Sequence, residues 1–462
     1  MKKIAIIGAG ISGLSAAYYI KKLCPGAFVA VLEKEDFAGG KMRTCRENGF
    51  LMEEGPNGFL DNKPHTLDLV AELGFSNRLF KSSDASRRRF IFLKNRLNRL
   101  PENPLRFLAS RLMSVKGKAR LLVEFFIKKG IPEHDESLHD FAVRRLGMEA
   151  AERLIDPMVS GIFAGDPKNM SLRAAFPRIY ELERDYGGLF KGLIAVMKEK
   201  KREKKRGTPA GPGGTLTSFT NGVQEFIERL DGENDGLLKG IAEIVLFRLE
   251  KGGYRLEYSH DGSAQTGDFD SVVIAAPSYA ASKILRNLNQ RLSILLEGIP
   301  YSPIAVTALG YDRAAFQKPP DGFGFLIPHI EKRPILGCLF DSNIFPNRAP
   351  DGKILLRVMS GGARSPETAE MPDCEVAERA VSEIERILKP SQPPSFVKTF
   401  RHSRGIPQYV TSHPQRMEAV EEELRESAGI FLCNNAYYGI GLNDCVNNAL
   451  IIAGKVKSFL SR

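Results

Sequence analysis

Close to the start of the chain an apolar run, Ile4-Ala-Ile-Ile, passes straight into Gly8-Ala9-Gly10-Ile11-Ser12-Gly13 and then into a helical pattern reaching about Leu23. Three glycines at this spacing between a strand and a helix leave little choice of fold. Gly8 permits a tight turn, Gly10 removes the side chain that would hold a bulky anion off the backbone, and Gly13 lets helix and strand pack closely. The helix opening at Ile11 and Ser12 presents unpaired N–H groups and a positive dipole end to that anion. A second strand, residues 28–32, ends at Glu33, about twenty positions on, where a carboxylate accepts ribose hydroxyls. A ligand-free glycine turn requires neither the acid nor the strand–helix context. The pattern therefore predicts a dinucleotide-binding α/β unit.

The continuation narrows the dinucleotide. After Glu33 and Lys34 comes Ala38-Gly-Gly40-Lys41-Met-Arg43, in which a second glycine pair gives a further backbone approach to phosphate and Arg43 supplies charge from the other side. This extension resembles the flavin-type dinucleotide fold, in which FAD is bound extended and stays bound. Glycine and proline then shape the loop Glu53-Glu-Gly55-Pro56-Asn57-Gly58. In flavoproteins of the amine-oxidase type such a loop runs under the isoalloxazine ring. Near the C-terminus an apolar strand, residues 429–433, leads through Gly439-Ile440-Gly441 into a helix from about Asp444 to Leu460. That helix start can face the flavin positions where negative charge collects on reduction, or it can be a structural cap completed by Asn443 or Asp444.

With 462 residues the chain supports two or three domains. The polypeptide is expected to return repeatedly to one α/β unit. Residues 1–62, 207–299 and 411–462 form a discontinuous, Rossmann-like FAD-binding domain, 63–206 a mainly helical domain, and 300–410 an antiparallel sheet walling a substrate cavity. The expected class is mixed α/β and α+β. The six cysteines and seven histidines are scattered, so neither a disulfide framework nor a metal site is expected. No leader pattern or run of about 18 apolar residues is seen, which suggests a soluble or peripheral protein of the cytoplasm.

The formal net charge of +11 suggests a polyanionic partner: nucleic acid, anionic lipid or a multiply acidic substrate. No nucleic-acid module accompanies the basic clusters at Arg87–Arg89 and Lys198–Arg206, so nucleic acid is not expected. The stretch Leu105–Lys129 mixes apolar bulk with basic charge. It reads either as a segment lying in an anionic membrane interface, on the inner face, or as two amphipathic helices packed on the protein.

Five further segments carry a more specific resemblance: Val159-Ser-Gly-Ile-Phe-Ala-Gly-Asp-Pro167, Ser171-Leu-Arg-Ala-Ala-Phe-Pro177, Gly322-Phe-Gly-Phe-Leu-Ile-Pro328, Ile406-Pro-Gln-Tyr409 and Gly439-Ile-Gly-Leu-Asn-Asp-Cys445. With them the chain resembles, over nearly its whole length, the oxygen-dependent protoporphyrinogen/coproporphyrinogen oxidase family of haem biosynthesis. The resemblance implies FAD as cofactor and a porphyrinogen as substrate. It implies six-electron oxidation to the porphyrin, O2 as acceptor, H2O2 as by-product and hand-off of the product to a ferrochelatase-type enzyme.

Carried over by position, flavin contacts fall on Gly8, Ala9, Gly10, Ile11, Ser12, Gly13, Glu33, Lys34, Gly40, Lys41, Arg43, Gly55, Pro56, Asn57, Gly58, His402, Gly439, Ile440 and Gly441. An adenine-side backbone contact falls on Val245 or Leu246. The substrate wall falls on Arg89, Phe163, Gly165, Phe323, Phe325, Leu326 and Met359, with Asn57 beside it. An apolar slot with a few placed cations suits a flexible tetrapyrrole with propionate arms, and Arg89 could hold one arm bidentately. Read alone, Arg89 is a solvated member of its cluster and the wall residues are ordinary core. Two positions depart from the family: His402 stands where many members have an aromatic residue, and Asn57 where some have arginine. Two other readings stand beside this one, a flavin amine oxidase or carotenoid-type desaturase, and a flavin-binding membrane-surface protein that has lost catalysis. No residue is marked as a catalytic base.

Overall fold

The computed structural model describes residues 1–130, 134–205 and 214–462. Strand β1 (Lys3–Ile7) and strand β2 (Phe28–Leu32) each bury four consecutive residues, the pattern of a parallel sheet covered on both faces. Between them lies helix α1 (Ile11–Leu23). The sheet has five strands in the order Leu237–Leu238, β2, β1, Ser271–Ile274, Ile430–Leu432, all parallel. Its members come from widely separated stretches of chain. One face is covered by α1 and the C-terminal helix Leu442–Leu460, which meet through small and branched residues such as Ala16, Ala17, Val446, Ala449 and Ala453. The other face packs against the antiparallel meander Ile241–Arg248, Tyr254–His260, Ser263–Phe269 and the helices Ser278–Leu285 and Gln290–Glu297.

A second sheet has seven strands in the order Phe396–Pro407, Tyr301–Asp312, Lys353–Gly361, Ile335–Leu339, Gly324–Leu326, Arg89–Leu93, Arg96–Arg99. Two features correct the sequence reading. The stretch 63–206 is not simply helical, because residues 89–99 form a hairpin that extends this sheet. Nor is the sheet wholly antiparallel, because Gly324–Leu326 pairs parallel to Arg89–Leu93. The hairpin's alternation, with Phe90 and Phe92 on one face and Ile91 and Leu93 on the other, is short and embedded among basic residues, which masked it. Leu216–Phe219 forms a further strand, between Phe59–Leu60 and Leu79–Lys81. The helix Asp373–Leu388 covers one face of the large sheet with Val376, Ala380 and Ile384.

The described residues between 104 and 205 are mostly helical and centre on a buried charge cluster. Arg145 and Glu124 are fully buried and paired, with Glu183 beside them. Arg145 also donates to the carbonyls of Ile127, Lys128 and Gly187. Glu124 accepts the N–H groups of Leu189 and Phe190, which open the helix Leu189–Lys205. Buried charges are tolerated only when paired and hydrogen-bonded in this way. The expected boundary at 206–207 lies outside the described residues. Among the described residues no helix is long and apolar enough to cross a membrane.

A Cβ placed on Gly13 would lie 1.9 Å from the Gly8 carbonyl oxygen. Gly13→Ala must push α1 off β1, and is expected to cost about 1–3 kcal/mol, the usual range for overpacking. Thermal unfolding of the purified variant, read as a lowered Tm, checks this.

Candidate functional site

At the C-terminal end of β1 the glycines divide the work as their positions predict. Gly8 takes a φ of +105°, and a Cβ there would meet the Ala276 nitrogen at 3.0 Å. Gly10 is the opposite case, with nothing within 4 Å of where its Cβ would stand. The turn therefore has an open cradle over Gly10 at the uncapped start of α1. The second glycine pair borders this cradle. Gly39 donates its N–H to the Ala9 carbonyl at 2.8 Å, and a Cβ on Gly40 would come within 3.8 Å of the Gly10 Cα. Glu33 is buried and accepts N–H groups from Ala9 at 2.6 Å and Glu35 at 3.0 Å. Each of its oxygens keeps a second lone pair for a hydroxyl.

Other predicted cofactor positions vary more. Lys34 is exposed. Arg43 lies over the Phe37 ring at 4.1 Å and near Glu54. Lys41 turns toward the large sheet, donating to the carbonyls of Arg404 and Gly405 beside the Tyr301 ring, and burial pulls its ammonium down to about 8. The strand bearing Val245 and Leu246 begins beside Glu33, whose carbonyl accepts the Ile241 N–H at 2.8 Å. The Leu246 side chain is buried in the core, which leaves its backbone for any contact.

The loop Gly55–Gly58 is held from several sides. A Cβ on Gly55 would strike the Lys41 carbonyl at 2.4 Å, and one on Gly58, at φ +150°, the Thr217 carbonyl at 2.2 Å. His402 places Nε2 2.8 Å from the Glu54 carbonyl; burial holds its imidazole below the ordinary value, so the neutral ring donates this bond. Arg357 donates Nη1 to the carbonyls of Glu53 (2.9 Å) and Gly55 (3.0 Å), while its Nε lies 3.0 Å from Asp341. Asp341 in turn faces the Asn57 amide at 3.5 Å. The Glu53 carboxyl, pushed up to about 7 by burial, sits 3.2 Å from the buried Arg348 and accepts from Val223 and Thr44. Asn57 Oδ1 is buried and has no hydrogen-bond partner among the described residues.

The C-terminal glycine loop closes on the same region. Gly439 adopts a φ of +89° against Asp444, and the Gly441 N–H reaches the Asp444 carboxylate at 3.3 Å, so this helix start is capped by its own acid. Cys433, just after the strand Ile430–Leu432, places its Sγ 3.8 Å from the Ser12 carbonyl, which brings the end of that strand against the start of α1. Tyr409 tethers the loop by donating its hydroxyl to the Asn435 carbonyl at 2.6 Å, and it stacks on His413 at 4.4 Å.

The predicted substrate wall is only partly assembled on one face. Leu326 and Met359 both flank Gly337 across neighbouring strands, and Gly161 of the helix Asp156–Phe163 packs against Leu326. Phe325 is a correction. Strand alternation turns it to the opposite face, where it is buried between Phe92 and Phe340. Phe163 is a second correction, since it is buried against Phe176 and Tyr409 rather than lining open space. Gly165 lies against Gln408, whose amide donates to the Phe163 carbonyl at 2.8 Å. A cleft beside this helix is lined by Ser160, Ala164, Gly165, Ile327 and Arg364, so Gly165 alone of the predicted wall borders it. Arg89 is exposed and lies over the Phe323 ring at 5.0 Å. Arg87 and Arg88 pair with Asp84 and Asp321; among the described residues Arg89 has no carboxylate in ion-pair range.

Arg357, Asp341 and Arg348 escaped the sequence reading. A signal was present in the first of them, a lone charge inside the apolar run Ile354-Leu-Leu-Arg-Val-Met359, which demands a buried partner. The partner itself could not be read, because it lies on another segment.

Comparison with known proteins agrees with this geometry. Residues 11–457 match the family model described as flavin containing amine oxidoreductase. The chain is 32% identical to the chloroplastic protoporphyrinogen oxidase of Nicotiana tabacum, covering 99% of this chain and 86% of the relative. It is 27% identical to the coproporphyrinogen III oxidase of Bacillus subtilis (strain 168), covering 99% and 98%. A crystal structure from Exiguobacterium sp. 255-15 superposes with a TM-score of 0.84 at 26% identity, covering 100% of this chain and 99% of that one. The cyclohexylamine oxidase of Brevibacterium oxydans shares the fold, with a TM-score of 0.68 at 16% identity.

FAD is the cofactor of this flavin-containing oxidoreductase, and the open cradle over Gly10 fits its phosphates. Because a side chain at Gly10 meets no protein atom, Gly10→Val should leave the fold intact and fill that cradle. The variant is expected to melt like the unsubstituted apoprotein yet purify without bound flavin, read from its visible absorption.

Proposed function

The chain belongs to the flavin-containing amine oxidoreductase family, and from that premise we propose that it is an FAD-dependent porphyrinogen oxidase. It oxidises protoporphyrinogen IX or coproporphyrinogen III to the porphyrin, with O2 as final acceptor and H2O2 as product. Bound FAD supplies the two-electron acceptor chemistry. The residues proposed to hold it are the phosphate turn Gly8–Gly13, Glu33, Gly40, the loop Gly55–Gly58 and the turn Gly439–Gly441.

The protein's contribution is positioning. Leu326 and Met359 give one apolar face beside the ring-side loop, suited to a macrocycle that must be held close to its acceptor. The observation that carries the substrate reading is Arg89. It extends from the start of the strand Arg89–Leu93 in the same sheet, over the Phe323 ring, while its two basic neighbours are paired with Asp84 and Asp321. A guanidinium so placed suits a propionate arm. Asn57, with an unpartnered carbonyl oxygen, and neutral His402 stand nearest the ring-side loop, and neither has the geometry of a required base.

A peripheral membrane location, on the cytoplasmic side, is supported by the surface of the helical region. Leu122, Phe125 and Phe126 are exposed beside Lys191, and Leu193 and Met197 are exposed on the next helix. The flanking charge is mostly basic, with Lys116, Lys118 and Arg120 on the segment before Phe125. Apolar residues ringed by cations suit an anionic lipid surface.

Anaerobic mixing of the holoprotein with each porphyrinogen should bleach the flavin absorption, and admission of oxygen should yield porphyrin fluorescence. Bleaching by an amine panel with none by either tetrapyrrole would favour an amine oxidase instead. Arg89→Ala should raise KM roughly 10- to 100-fold, the worth of one charge-assisted hydrogen bond, with a smaller effect on kcat. Flotation with vesicles containing anionic lipid should carry the protein upward; Phe126→Glu together with Met197→Glu should abolish that without altering porphyrinogen turnover in detergent.

A further inference from the structure

Strand Lys353–Gly361 turns Ile354, Leu356 and Val358 into the core beneath the covering helix, and turns Arg357 and Met359 the other way. Burying a guanidinium in such a strand is costly unless its charge and its donors are all answered. Here the charge is answered by Asp341, whose carboxylate lies 3.0 Å from Nε without a well-aligned hydrogen bond, and Nη1 spans two carbonyls of the ring-side loop, those of Glu53 and Gly55. Glu53 is gripped twice, its carbonyl by Arg357 and its carboxylate by Arg348. The Asn57 amide reaches the outer oxygen of Asp341.

We propose that Arg357, oriented by Asp341, is a positioning residue that fixes the Gly55–Asn57 backbone relative to the sheet carrying Met359. The planar, rigid guanidinium holds Nε beside Asp341 and Nη1 on the two carbonyls at once, which the single nitrogen of a lysine on a flexible stem does not reproduce. The consequence is that the distance between a ring lying on the loop and a substrate lying on the sheet is set by one buried ion pair. Displacement by about 1 Å is enough to cost roughly 100-fold in rate when reacting atoms must be aligned. The inference rests on the reading of Gly55–Asn57 as the ring-side loop, but not on the identity of the substrate.

The test uses FAD-loaded protein. Removing Arg357 alone would strand the Asp341 carboxylate, so the informative variant is Arg357→Met with Asp341→Asn, which removes both charges and stays close to the original side-chain sizes. It should retain FAD, because the phosphate turn is untouched. Its visible circular dichroism and flavin reduction potential should differ from those of the unsubstituted protein, and kcat should fall roughly 10- to 100-fold with little change in KM. Arg357→Lys, which keeps the charge pair, should give intermediate values; if the double variant fails to fold, this variant decides. Unaltered dichroism, potential and kcat in a folded variant would overturn the proposal. The dichroism and potential need no porphyrinogen, so a wrong substrate assignment would leave this comparison standing.

Discussion

Everything in this molecule is organised around the contact between Gly13 and the Gly8 carbonyl, where helix α1 lies so close to strand β1 that even a methyl group cannot enter. That closeness holds the start of α1 beside the open face of Gly10. The surrounding turn is then fixed from outside by segments that arrive separately. Glu33 takes the Ala9 N–H, Gly39 donates back to the Ala9 carbonyl, and Cys433 with the C-terminal helix packs on Ser12. Each contact joins residues more than twenty positions apart in sequence, so the phosphate turn is preorganised by tertiary structure rather than by local propensity.

Two buried charge clusters serve the rest of the structure, and they differ in kind. Arg145 with Glu124 and Glu183 is internal to the helical region and also answers helix ends and turn carbonyls, so it fixes how those helices meet. The Glu53, Arg348, Arg357 and Asp341 group bridges the ring-side loop and the large sheet. In both, the desolvation of the ions is offset by ion pairing together with hydrogen bonds to backbone groups, which apolar packing would not orient so narrowly. The large sheet thus carries a polar grip toward the loop and apolar side chains, Leu326 and Met359, on the same face.

The parts of this arrangement that were legible in the sequence are those whose signal is local. The glycine spacing, the acid ending β2 and the apolar runs of the parallel strands each have a steric or periodic signature. Less legible were the hairpin at 89–99, whose alternation is set among basic residues, and the strand Leu216–Phe219, whose four residues follow a glycine-rich stretch and are too few to show a period. The side-chain directions of Phe163 and Phe325 were misjudged for a related reason. A motif marks a segment, while strand pleating and helix packing decide which of its residues face the cavity.

By itself the sequence determined a dinucleotide turn at the N-terminus and apolar strands from distant segments that return to it, because glycine geometry and apolar periodicity are properties of neighbouring residues; the family entered through the resemblance its further motifs carry. Only the tertiary structure decided that Arg357 meets Asp341 and the Gly55 carbonyl, that Asn57 keeps an unanswered oxygen, and that Arg89 alone of three adjacent arginines lies on an aromatic ring rather than beside a carboxylate. Those facts depend on which remote segments are brought within a few ångströms, and no local pattern encodes the partner of a buried charge.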